Sequence, residues 1–126
     1  MAQGNQRSGR RSAVKRQHPE MALHKACAQL LDIRQKQSGF FWTTIGHGGG
    51  GKVRGAQLKA MGVKRGVADI LICKRDFIAW IELKSPKGVP SPDQMKFHDT
   101  VVRFDHFHAV VKSVDDLAFY LRIWNL

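Results

Sequence analysis

Apolar positions repeat along this chain with two periods, and the switches between them mark out its elements. Leu23, Cys27, Leu30 and Leu31 fall at helical spacing, which predicts a helix opened by Pro19 and Glu20 and closed at Ser38-Gly39. Phe40 to Ile45 is aromatic and β-branched and predicts a strand. Gly46 to Gly51 predicts a flexible loop, followed by a short helix over Ala56 to Met61 that stops at Gly62. Asp69 to Cys73 and Phe77 to Lys84 predict two strands joined by the tight polar connection Lys74-Arg75-Asp76. Ser91 opens a third helix, with Pro92 at its first position and Gln94 completing a capping box. Phe107 to Val111 reads as another strand. Ser113 and Asp116 open a last helix, whose buried stripe is Leu117, Leu121 and Trp124. The expected order is α, β, short α, β, β, α, β, α: an α/β fold with a mixed central sheet flanked by helices, in one domain over residues 18–126.

Composition changes this picture chiefly through charge. The chain has 126 residues, with 21 Lys and Arg against 10 Asp and Glu and a formal charge of +11. An apolar fraction of 43% is enough for a packed core. The excess of cations points to a polyanionic partner, nucleic acid ahead of an anionic membrane. No apolar run approaches the roughly 20 residues of a membrane span, so no membrane association is expected. The start of the chain lacks the hydrophobic stretch of a secretory signal, and the expected location is the cytoplasm of a bacterial or phage-infected cell rather than outside it. Two cysteines, Cys27 and Cys73, are too few for a disulfide framework or a Cys-rich zinc cluster, and both read as small buried hydrophobes. The six histidines show no zinc-ligand spacing with them. Residues 1–17 hold five cations, Arg7, Arg10, Arg11, Lys15 and Arg16, no acid and little to bury, and are expected to form a disordered basic arm. A second concentration comprises Lys52, Arg54, Lys59, Lys64, Arg65, Lys74 and Arg75, with Asp69 as its lone acid.

Two motifs compete for the chemistry. Gly46, Gly51 and Lys52 match the spacing of a phosphate-binding loop, but Val53 stands where a Ser or Thr must hold magnesium, so no nucleotide cofactor is expected. The stronger candidate lies in Phe77 to Lys84, where alternation puts Ile78, Trp80, Glu82 and Lys84 on one face and Phe77, Ala79, Ile81 and Leu83 on the other. Glu82 and Lys84 then project side by side, about 6–7 Å apart along the strand. Taken singly, they make an ion pair at the sheet rim, and Asp69 makes a turn residue. Taken together, a hairpin can bring Asp69 near Glu82, and two carboxylates repel unless a hard cation such as Mg²⁺ or Mn²⁺ lies between them.

An Asp followed by Glu-x-Lys on an adjacent strand resembles the PD-(D/E)xK nuclease superfamily. The flanking blocks resemble one branch of it, the VRR-NUC (virus-type replication-repair nuclease) domain. They are Leu58-Lys59-Ala60-Met61-Gly62-Val63, Gly66-Val67-Ala68-Asp69, Ile81-Glu82-Leu83-Lys84 and Ser91-Pro92-Asp93-Gln94. The resemblance covers residues 18–126, and Ala68 departs from it where the family usually has Pro.

The resemblance implies a small single-domain nuclease core. Asp69, Glu82 and the Leu83 backbone carbonyl would bind Mg²⁺ or Mn²⁺, with Glu20 reaching in through water or a second ion. Lys84 would orient or help deprotonate the attacking water, and Gln94 would lie near the site. Capping and facing the site are competing demands on the Gln94 amide, which is not expected to meet both well. Lys52, Arg54, Lys59, Lys64, Arg65 and Lys87 are the candidate nucleic-acid contacts. The activity implied is metal-dependent, structure-selective cleavage of phosphodiesters in branched DNA such as four-way (Holliday) junctions, by a homodimer and in the setting of DNA repair. The alternatives are a flap or nicking nuclease without junction preference, and a non-catalytic basic nucleic-acid-binding module.

Overall fold

A computed structural model describes residues 19–46 and 51–126. The expected basic arm, and residues 47–50 of the expected glycine loop, lie outside the described residues. Eight elements follow in the order α1 (Pro19–Ser38), β1 (Phe41–Thr44), α2 (Gly51–Ala60), β2 (Ile70–Lys74), β3 (Phe77–Leu83), α3 (Pro92–Arg103), β4 (Phe107–Val111) and α4 (Val114–Ile123). This is the order the periodicities predict. The bounds agree to within about one residue except at α2, which begins at Gly51 rather than near Ala56, because Lys52 to Gln57 contains no breaker stronger than Gly55.

The strands form one sheet in sequence order, β1 and β2 antiparallel, β2 and β3 antiparallel, β3 and β4 parallel. The β2–β3 turn pairs Lys74 with Phe77 and Ile70 with Ile81, so the same register sets Asp69 against Glu82 at the far end of the hairpin. One face of the sheet carries Ile70, Ile72, Ala79, Ile81, Leu83, Ala109 and Val111, all buried against Cys27 and Leu31 of α1 and Leu117 and Leu121 of α4. The other face is covered by α3, with Phe97 set edge-on to Trp80 at 5.0 Å between ring centroids. Cys27 is fully buried, but Cys73 is exposed, contrary to expectation. It pairs with exposed Phe41 on the edge strand, on the face opposite the α1–α4 core.

The topology gathers one end of every strand and the starts of three helices. The ends of β1, β3 and β4 and the start of β2 share an edge of the sheet, and α1, α3 and α4 all begin there. His24 in α1 bonds Thr44 of β1 at 2.8 Å, α3 begins beside Glu82, and α4 is capped by Ser113, just past the end of β4. No helix among the described residues is long and apolar enough to cross a membrane.

Candidate active site

Asp69 sits where the β2 ladder ends, and the backbone holds it from both sides. Its N–H donates to the Ile81 carbonyl at 3.0 Å, and its carbonyl accepts from the Ile45 N–H at 2.8 Å. Its side chain then takes the position of the next ladder acceptor: Oδ2 accepts from the Leu83 N–H at 2.7 Å. The carboxylate is thereby fixed by the sheet itself. It lines a pocket of about 220 Å³ together with Leu83 and, from the first turns of α1, Glu20, Met21, His24 and Lys25.

Glu82 is 2% exposed, the one charged residue in the described core. Its Oε1 accepts from Gln94 Nε2 at 2.6 Å and lies 3.7 Å from Lys84 Nζ. Its Oε2 is buried without a hydrogen-bond partner. Burial first, and then the negative charge of Asp69, push its pKa up to about 8, against the pull of the Lys84 ammonium in the other direction. At 3.7 Å the ammonium is near enough to attract the carboxylate but too far for a tight bond, which leaves its protons available.

Gln94 reaches this site from the first turn of α3. The capping box is complete: Gln94 N–H donates to Ser91 Oγ at 3.2 Å, and Gln94 Oε1 accepts from the Ser91 N–H at 2.8 Å. The expected conflict between capping and facing the site does not arise. The amide has two ends, and its oxygen caps while its nitrogen holds Glu82.

Among the described residues, no three His, Cys, Asp or Glu side chains lie close enough to share one ion. A divalent cation would therefore rely on Asp69 and Glu82 with backbone carbonyl and water. The donor chemistry fits one, since Glu82 presents a buried, unpartnered oxygen and both side chains are hard carboxylates. Glu20 lines the pocket beside Asp69 without joining a three-ligand cluster.

The basic candidates divide. Lys52, Lys59, Lys64 and Arg65 line an open groove of about 1010 Å³ together with Ala56, Leu58, Val63 and Gly66. Arg54 is exposed on α2 and Lys87 on the loop after β3, and neither lines the groove. Lys112 was not singled out from sequence, yet its Nζ donates to the Pro86 carbonyl at 3.4 Å on the same edge as Lys84. The available signal was its position directly after the expected strand Phe107–Val111.

No family model matches the chain, and no curated protein matches it in sequence. Solved structures do match. One, described as a VRR_NUC domain, is 18% identical with a TM-score of 0.58, covering 82% of this chain and 95% of that one. Another, a VRR_NUC domain protein, is 17% identical with a TM-score of 0.61, covering 79% of this chain and 84% of that one. The resemblance carried by the four sequence blocks and the architecture of the sheet and helices thus meet in one result: this chain has the VRR-NUC fold.

Proposed function

We propose that the protein is a divalent-metal-dependent nuclease that hydrolyses phosphodiesters in DNA. The observation that carries this reading is the buried Glu82 carboxylate, with an unsatisfied oxygen, opposite Asp69 and beside a basic surface. A buried acid of this kind is costly to keep unless it has a task or a cation.

Asp69, Glu82 and the Leu83 carbonyl would hold Mg²⁺ or Mn²⁺. Bound there, the ion supplies Lewis-acid activation of water and neutralises charge at the phosphate. The chain's own groups do the rest. Gln94 fixes the orientation of Glu82 through Oε1 and leaves Oε2 free for the ion. Lys84, whose ammonium makes no tight bond to Glu82, orients the attacking water or contacts the scissile phosphate. Glu20 would act through water from the opposite wall of the pocket. Lys52, Lys59, Lys64 and Arg65 would track the phosphates flanking the scissile bond, with Arg54 and Lys87 as outlying contacts.

Within DNA, branched substrates such as four-way junctions are the proposed class. The feature proposed to be selected is the shape of the DNA rather than its base sequence. Two symmetric nicks in a junction would require two sites, hence a homodimer. The deciding assay offers plasmid, flap and four-way junction to the protein with Mg²⁺, Mn²⁺ or EDTA. Cleavage should require a metal, favour the junction, and disappear in Asp69→Ala and Glu82→Ala. DNA binding should survive Glu82→Ala or strengthen, since a negative charge leaves a polyanion site. Binding without cleavage by the unmutated chain in either metal would identify a basic binding module instead.

A further inference from the structure

We propose that Gly66 is a positioning residue that keeps the basic groove in fixed register with Glu82. A strand gripped by Lys64 and Arg65 would then present its phosphodiester at the carboxylates. The second half of this proposal rests on the nuclease reading; the first half stands on the contacts alone.

Gly66 belongs to the groove wall beside Lys64 and Arg65. Its backbone lies directly on the first turn of α3: a Cβ placed there would overlap the Asp93 carbonyl group and come within 2.7 Å of Gln94 N. Those are backbone atoms of a capped helix, which cannot swing aside as a flexible side chain would. Gln94 then carries the contact to the site, since its N–H is held by Ser91 Oγ and its Nε2 donates to Glu82 Oε1. The groove wall, the helix start and the buried carboxylate are therefore joined by direct contacts with no slack residue between them.

Gly66 also has a positive φ of 80°, so any substitution adds backbone strain. Gly62 supplies the control. Its φ is 94°, yet a Cβ there would meet nothing within 4 Å. Gly62→Ala takes the strain alone, and Gly66→Ala takes the strain and the collision with α3.

The first measurement needs neither metal nor DNA. In a ¹H–¹⁵N spectrum, the Gln94 side-chain amide pair is identified by its loss in Gln94→Ala. It should shift in Gly66→Ala and stay in place in Gly62→Ala. The second measurement is cleavage of a junction. Gly66→Ala should lose about tenfold or more in kcat, as small misplacements do, with KM and DNA affinity nearly unchanged. Gly62→Ala should keep its kcat. An identical Gln94 resonance in both variants, or equal losses of kcat in both, overturns the proposal. If the unmutated chain cleaves nothing, the nuclease reading falls, and the spectrum alone decides whether Gly66 holds Gln94.

Should Gly66→Ala prove unfolded by circular dichroism, Ser91→Ala loosens the same turn by removing the acceptor of the Gln94 N–H. It should shift the Gln94 pair and lower kcat with KM held. An unmoved pair in Ser91→Ala also overturns the proposal.

Discussion

Two opposing demands meet on the Glu82 carboxyl. Burial favours its neutral form, while an ion in the site requires its charge. With its pKa raised to about 8 in the metal-free protein, the folded state holds a proton that the unfolded chain releases near its ordinary value of 4.5. The stability this lends is full below the unfolded pKa and is lost as pH rises through the folded one. Metal-free protein should therefore melt lower at pH 8.5 than at pH 6.5. Glu82→Gln should raise the melting temperature at pH 8.5 by several degrees, and added Mg²⁺ should raise it in the unmutated chain but not in that variant. His108 works in the opposite sense. Burial and then neighbouring His98 lower its pKa to about 4, and its Nδ1 is buried without a partner. The unfolded chain takes up that proton first, so stability falls as pH drops from the ordinary value of 6.5 toward 4. His108→Gln should flatten this acid limb while leaving the alkaline one, a separation that thermal melts across pH would detect.

At the scale of elements, α3 and α4 begin almost alike, and only α3 reaches the site. Ser91 accepts from Gln94 N–H, and Ser113 accepts from Asp116 N–H at 3.0 Å. The acceptor at the third position then diverges. Gln94 has a free nitrogen for Glu82, whereas Asp116 uses Oδ2 to hold the Lys112 N–H at 3.0 Å. Ser113→Ala should therefore cost only the cap, about 1 kcal/mol, or roughly 3–6 °C in a domain of this size, with cleavage unchanged. Both serine caps were legible in sequence because a cap is local chemistry, but only α3 completes its box, since the Asp116 side chain holds the Lys112 N–H and not that of Ser113. The hairpin was legible for the same reason: the polar connection after Cys73 sets the register that puts Asp69 opposite Glu82. What sequence could not supply depends on tertiary packing. The depth of Glu82 follows from α3 lying over that face, and the contact between Gly66 and Asp93 joins segments with no local signal linking them. Cys73 misled for the same reason, since its apolar neighbours alternate faces and only one face there is covered. The start of α2 was misplaced because that helix packs on no other helix or strand among the described residues, so no buried stripe marks where it begins.

Across the whole molecule, charge and topology act on one edge. The starts of α1, α3 and α4 add the positive ends of their dipoles to the edge where Asp69 and Glu82 lie. The +11 charge of the chain, however, is divided between that body and residues 1–17, and the two parts should contribute different things to binding. Lys64 and Arg65 stand on a groove in direct contact with α3, so the grip on phosphates proposed for them would depend on the path the backbone takes. The five cations of residues 1–17 come with no acid and little to bury, so their contribution should be counterion release without regard to shape. Deleting residues 1–17 should weaken binding to junction, flap and linear duplex by similar factors. It should also reduce the slope of log affinity against log salt by up to about 4–5, the value for five phosphate contacts. Lys64→Ala with Arg65→Ala removes fewer charges and should reduce the slope by no more than about 2, yet it should lower junction affinity more than duplex affinity. Titrations of the three DNAs at several salt concentrations separate the two effects. A truncated chain that bound all three equally, where the full chain discriminates, would place the selectivity in the first 17 residues and leave the groove as nonspecific charge.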